Sequence, residues 1–233
     1  MCSLILYQLL YNVNADLQRC DAQRSFGHPT MSRPREFDET AALDAAIECF
    51  WRRGYEATSL RDLTASMGLT APSLYNAFGD KEELFARALE QYLDRTTRDR
   101  LRRLADSLPP KEALHCFFAE IVEHSIRDRQ RKGCFLVNSA LEVAPHHAEC
   151  RAVIAEQFGE IEAFFKRCIR AGQADKTIPR HVDAGDTARL LLGVLLGVRV
   201  LARTNPNRDV LEGVVRPALK LLDQPRRKEK VRR

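Results

Sequence analysis

Residues 68–84 read GLTAPSLYNAFGDKEEL. A helix here would begin at Thr70 and stop at Gly79, short of the roughly 12 residues below which isolated helices are marginal in water. Leu74 and Phe78 stand four apart and share one face, so this helix must lean on neighbours. Ala71, Pro72, Ser73, Tyr75 and Asn76 are left on its N-terminal and outer sides. A polar and aromatic surface on so brief a helix is there for contact rather than for stability.

Working outward, the segment before it, SLRDLTASM, is a second short helix capped by Thr58 or Ser59, with Leu60, Leu63 and Met67 on one face. Gly68 ends it. An earlier helix begins at the N-cap Asp38, with Phe37 placed for a hydrophobic staple and Leu43, Ala46, Ile47 and Phe50 at helical spacing. Arg52 and Arg53 suit its C-terminal dipole and Gly54 closes it. After the quoted stretch, Asp80 caps a long helix with Glu82 and Glu83 in its first turn. Its pattern predicts a run to Leu104, and Pro109-Pro110 breaks the chain behind it. Five further helices are expected, over 112–129, 134–143, 147–171, 182–204 and 208–222. No run alternates with period two, so the chain reads as all-α.

The domain reading follows from these elements: a leader over 1–30, a head over 31–96, a helical body over 97–222 and a basic tail over 223–233. The leader, MCSLILYQLLYNVNADLQRC onward, lacks a basic start and a small-residue cleavage site, so export is rejected. It reads as a disordered segment or an upstream extension of the reading frame. The longest apolar run, LLLGVLLGV over 190–198, is far below the roughly 20 residues of a membrane helix. Seven cysteines without a CxxC pair point to reduced thiols in the cytoplasm rather than disulfides or zinc. The net charge of +5 comes largely from the tail: residues 31–100 carry 10 Lys or Arg against 13 Asp or Glu. Nonspecific affinity for polyanions should be modest, and any such binding must rest on placed contacts.

A short helix, a glycine turn and a second short helix form the pattern of a helix-turn-helix, whose second helix enters a DNA major groove. By spacing alone, an ordinary corner between two helices fits equally. As a DNA reader, the hydroxyls of Ser73 and Tyr75 would contact phosphates, Asn76 would read adenine, and Ala71 or Pro72 would touch a thymine methyl. Lys81 and the amides opening the next helix are placed for another phosphate.

The residues Gly54-Tyr55, Thr58, Gly68-Leu69-Thr70, Leu74-Tyr75, Phe78 and Lys81-Glu82-Glu83-Leu84 resemble the signature of the TetR family of transcriptional regulators (TetR/AcrR type). The match is close over about residues 36 to 96, and beyond that it is one of helical layout. The resemblance implies a homodimer that binds a palindromic operator in double-stranded DNA, usually as a repressor, and is released by a small molecule in the C-terminal domain. Family contacts carried over fall on Ser59, Arg61, Thr70, Ala71, Pro72, Ser73, Tyr75, Asn76 and Lys81. Many relatives have His or Tyr where this chain has Ala77, so one phosphate contact is expected to be missing. An activator of the same fold, or a helical small-molecule-binding or scaffold protein without DNA binding, are the alternatives.

In the body, RKGCFLVNSALEV places Cys134 at a helix start behind Arg131 and Lys132, an arrangement that favours a thiolate and an electrophile sensor; a buried small hydrophobe is the plainer reading. A ligand pocket is expected among Phe117, Phe118, Ile121, His124, Phe135, Asn138 and Phe158. His146, His147 and Cys150 have helical spacing for a metal but lack a fourth ligand, so no metal site is assigned. Gly193 and Gly197 invite close approach of another backbone. With the apolar stripe of the last helix, which Pro217 would kink, they suggest a four-helix dimer interface. No nucleophile and base pair, phosphate loop or paired-carboxylate motif appears, and neither a cofactor nor an enzymatic activity is expected.

Overall fold

The computed structural model describes residues 37–223; the expected leader and all of the basic tail after Asp223 lie outside them. Helix α1 (Glu39–Arg53) starts at Asp38, whose carboxylate accepts from the amides of Thr40 and Ala41 at 2.9 and 3.2 Å. Two of the four orphan donors at a helix start are thereby satisfied. Helix α2 (Leu60–Met67) and helix α3 (Ala71–Phe78) form the short pair read from the sequence. Between them Gly68 adopts φ +66, the left-handed conformation that glycine takes without a Cβ penalty. Its amide and that of Leu69 both donate to the Thr64 carbonyl. Leu63, Leu74 and Phe78 are buried together, which is how two eight-residue helices persist.

Helix α4 (Lys81–Leu93) begins with a reciprocal capping box between Asp80 and Glu83. The expected run to Leu104 is helical throughout and continues to Ser107, with one change of helix type on the way. Asp94–Arg98 is a π-helical turn, after which α5 continues as Asp99–Ser107. Within the turn Thr96 Oγ1 donates to the Tyr92 carbonyl at 2.6 Å, a bond that competes with the backbone ladder. The body follows as α6 (Pro110–Arg127), α7 (Phe135–Glu142), α8 (Ala148–Ala174), α9 (Ala184–Thr204) and α10 (Arg208–Lys220), with a 3₁₀ turn at Leu221–Asp223. Every regular element among the described residues is helical.

Head and body share one core. Phe85 of α4 makes edge contacts with Phe50 and Tyr55, both at 5.0 Å between centroids, and with Phe135 of α7 at 5.5 Å. Polar contacts reinforce the joint. Trp51 Nε1 donates to the Lys132 carbonyl at 3.2 Å, the Lys132 ammonium sits over the Trp51 ring, and it pairs with Glu48 at 2.9 Å. Glu142 of α7 accepts from the Glu56 amide at 3.0 Å. A Cβ on Gly54 would lie 2.8 Å from that carboxylate, and Gly54 has φ +86, so this close approach requires glycine.

Candidate nucleic-acid interface and internal cavity

On the outer side of α2 and α3, Arg61, Ala71, Pro72, Tyr75 and Asn76 are exposed and Ser73 is half-buried. Tyr75 is 48% exposed, a large share for an aromatic side chain at mid-helix. Neither Asn76 nor Arg61 uses its side chain in a hydrogen bond or ion pair among the described residues. Ser59 and Thr70 have local work. Ser59 Oγ accepts from the Asp62 amide at 3.1 Å and donates to the Asp62 carboxylate at 2.6 Å. Thr70 Oγ1 accepts from the Ser73 amide at 3.3 Å and lies 2.9 Å from Ser73 Oγ. These hydroxyls therefore fix the helix starts, and each leaves only part of its capacity for a phosphate.

Lys81 is half-buried, its ammonium 4.3 Å from the centre of the Tyr55 ring. Burial and the carboxylate of Glu82 push the Tyr55 phenol up to about 12, so the ring stays neutral beneath that cation. Ala77 is half-buried and its carbonyl accepts from Arg87 Nη1 at 2.7 Å. Arg87 also stacks over Phe78 and pairs with Glu39. It thus secures the C-terminal end of α3 to α1 and α4. Sequence reading missed Arg87, because a cation in the middle of the next helix carries no local signature of a helix end.

A cavity of about 300 Å³ lies between the head and the body. From α1 it takes Asp44, Ile47 and Trp51, and from the π turn Arg95, Thr96 and Thr97; α6, α7, α8 and α9 supply most of the rest. Of the expected pocket residues, Phe117, Ile121, His124 and Phe158 line it. Phe118, Phe135 and Asn138 do not, which corrects the expected lining. Phe118 is packed away against Phe117 and Phe165, and Phe135 is closed under Phe85, Tyr92 and Trp51. Asn138 spends its amide on the Lys132 carbonyl at 2.8 Å and its oxygen on Arg203 at 3.3 Å.

Cys134 is the N-cap of α7, is buried, and stands in the cavity wall with its sulfur 3.9 Å from Tyr92 Oη. The expected activation by Lys132 meets a competitor, since that ammonium is engaged by Glu48 and Trp51. His124 is exposed, yet the protein around its imidazole, with Arg199 and Arg100 nearby, pushes its pKa down to about 4. It is neutral at neutral pH. His147 meets Glu82 at 3.0 Å and the Tyr55 ring, and Cys150 is buried with its thiol pushed up to about 11 by that burial. Among the described residues no group of three or more His, Cys, Asp or Glu is placed to hold a metal, and no helix is long and apolar enough to cross a membrane.

The described geometry agrees with two family matches. The tetR family of bacterial regulatory proteins is matched over residues 42–88, and the tetracyclin repressor-like C-terminal domain over residues 110–218. The uncharacterized HTH-type transcriptional regulator YezE of Bacillus subtilis is 34% identical over 195 residues, 83% of this chain and all of that protein. The chain belongs to the TetR family. It is a transcriptional regulator of the helix-turn-helix type, with a family head and a family body. The HTH-type transcriptional repressor ComR of Escherichia coli is 31% identical over 190 residues, 81% of this chain and 90% of that one. Among solved structures, a cysteine variant of the TetR family regulator CifR, complexed with 26-base-pair operator DNA, is 36% identical with a TM-score of 0.72. It covers 81% of this chain and 98% of that one. In this TetR-family chain α3 is the second helix of the helix-turn-helix, and the cavity lies in the joint between head and body.

Proposed function

We propose that the chain is a ligand-responsive repressor that binds a two-fold symmetric operator as a homodimer, in the cytoplasm, with α3 in the major groove. The observation that carries this reading is the outward face of α2 and α3: Arg61, Tyr75 and Asn76 project from a well-capped pair and make no side-chain hydrogen bond or ion pair within the described chain. The DNA contacts are assigned to these three, to Ala71, Pro72 and Ser73 on the same surface, and to Ser59, Thr70 and Lys81 beside it. Arg61 and Lys81 serve phosphates; Asn76 serves a base edge. The cavity supplies the response. Because α1 gives the cavity Asp44, Ile47 and Trp51, a ligand entering it presses on the helix against which α2 packs. The spacing of two recognition helices in a dimer must match half-sites about 34 Å apart, so a small tilt of each head is enough for release. Cys134 faces the same space, and an electrophilic effector would reach its thiol from there.

The dimer is assigned to α9 and α10. Leu190, Gly193, Gly197 and Val200 recur along one face of α9, and Leu190, Val200 and, on α10, Val210 are exposed. A Cβ added at Gly193 or Gly197 would meet no atom of this chain within 4 Å. The close approach that these glycines permit is therefore left for a second copy. Selection of bound duplexes from random DNA tests the function: enrichment of an inverted repeat supports it, and enrichment of nothing sinks it. Gly197→Glu is expected to turn the dimer into a folded monomer that no longer binds the selected duplex. Sedimentation with circular dichroism checks this, and an unchanged dimer would move the interface elsewhere.

A further inference from the structure

Arg199 is an unusual residue for its place. It sits on α9 directly after the apolar run 190–198, is 6% exposed, and forms part of the cavity wall. Its recorded hydrogen bond goes from Nη1 to Ser125 Oγ at 3.2 Å, and its enclosed Nε has no acceptor. No carboxylate among the described residues lies within ion-pair distance of it. The other cations of the wall have carboxylates: Arg95 has Asp44 at 2.5 and 2.7 Å, and Arg100 has Glu120 at 3.1 Å, which it shares with Arg103. Asp44 is the only acidic residue in the lining, and Arg95 and Gln91 already occupy it. The cavity therefore holds one cation in excess, removed from water and short of acceptors, a costly state unless an anion completes it. The pKa of His124 is depressed first by burial and then by Arg199 and Arg100, so this neighbour adds no charge to balance Arg199.

We propose that the effector is a small organic carboxylate whose acid group accepts hydrogen bonds from the Arg199 guanidinium while its apolar body lies against Trp51, Phe117 and Phe158. The planar guanidinium matches a carboxylate in geometry and charge. A phosphate monoester fits less well, because its second charge would call for a second unanswered cation and the rest of the wall is largely aliphatic and aromatic. The inference rests on the regulator reading above, and gives the chemical class of the ligand that moves α1.

The full chain is titrated calorimetrically with benzoate, phenylacetate and hexanoate, and with their neutral amides as matched probes. At least one acid is expected to bind on the order of a hundredfold more tightly than its amide, as the loss of one partner of a buried, hydrogen-bonded charge pair implies. Arg199→Met should abolish that preference while keeping the fold, since it replaces an unanswered buried cation with an apolar chain of similar reach; Arg199→Gln serves as the second variant. Arg199→Lys should keep part of the preference, having the charge without the fork. Equal binding of acid and amide, no binding by any acid, or a preference that survives Arg199→Met would each overturn the proposal. The same preparations are tested on the selected duplex. A chain that binds DNA but ignores every acid sinks this inference alone, whereas one that binds acids but no duplex sinks the regulator reading.

Discussion

Asn76→Ala is expected to weaken operator binding by about 1–3 kcal/mol per half-site, the worth of one bidentate contact to a base. A symmetric dimer loses the contact twice. The fall is then about 2–6 kcal/mol, roughly thirtyfold to ten thousandfold in affinity. Discrimination should relax at the two symmetry-related positions that Asn76 reads. The fold should be indifferent, because Asn76 is exposed and its side chain makes no hydrogen bond or ion pair among the described residues. Tyr75→Ala is expected to act in the same direction for the same reason. Arg61→Ala should behave differently. As a phosphate contact, its loss weakens specific and nonspecific DNA alike and lowers the salt slope by about one per contact. Ser59→Ala and Thr70→Ala are poor probes, since each removes a cap worth about 1 kcal/mol of stability and confounds folding with binding. Gel shifts on the selected duplex and on scrambled DNA, over a series of salt concentrations, separate these cases. If Asn76→Ala and Tyr75→Ala both bind as the parent does, α3 is not the reader.

The parts of the structure that could be read from the chain are those set by neighbours in sequence. Asp38, Ser59, Thr70 and Asp80 announce helix starts because capping is a bond to an amide two or three residues on. Gly68 announces the turn because only its own backbone must be left-handed. The outer face of α3 was legible by subtraction, once Leu74 and Phe78 had to be buried. The cavity was legible only in part, because its wall is drawn from seven α-helices and the π turn, and no spacing along one of them reveals which side faces the gap. Phe117 and Phe118 make the point: adjacent in sequence and alike in chemistry, they fall on different sides of α6, and only one lines the cavity. The π turn left no trace in the sequence pattern because it occupies five residues, Asp94–Arg98, too few to alter the apolar period. Arg199 left a trace that went unused: a lone cation in an otherwise apolar stripe, where a charge has to be answered by something.

Phe85→Ala is expected to have the largest effect on stability. The ring is 1% exposed, and its truncation removes buried surface and leaves a void where no neighbour can follow easily, a change that costs about 3–5 kcal/mol for Phe→Ala in a core. Three aromatic edge contacts are lost with it. Two of them, to Phe50 and Tyr55, lie within the head, and the third, to Phe135, belongs to the body. The same ring therefore closes the core of the reader and attaches it to α7. Head and body should accordingly unfold together: urea transitions of the parent at fixed protein concentration should coincide by far-ultraviolet circular dichroism and by fluorescence of Trp51. That residue is the single tryptophan of the chain, and it sits in the joint between Tyr92, Phe135 and Lys132. In Phe85→Ala the midpoint should fall sharply, with the Trp51 signal changing at or before the loss of helix. Transitions already separate in the parent would mean that head and body are independent units. In that case a ligand in the cavity could not reach α3 by moving α1, because the joint that transmits the push would not be rigid enough to carry it.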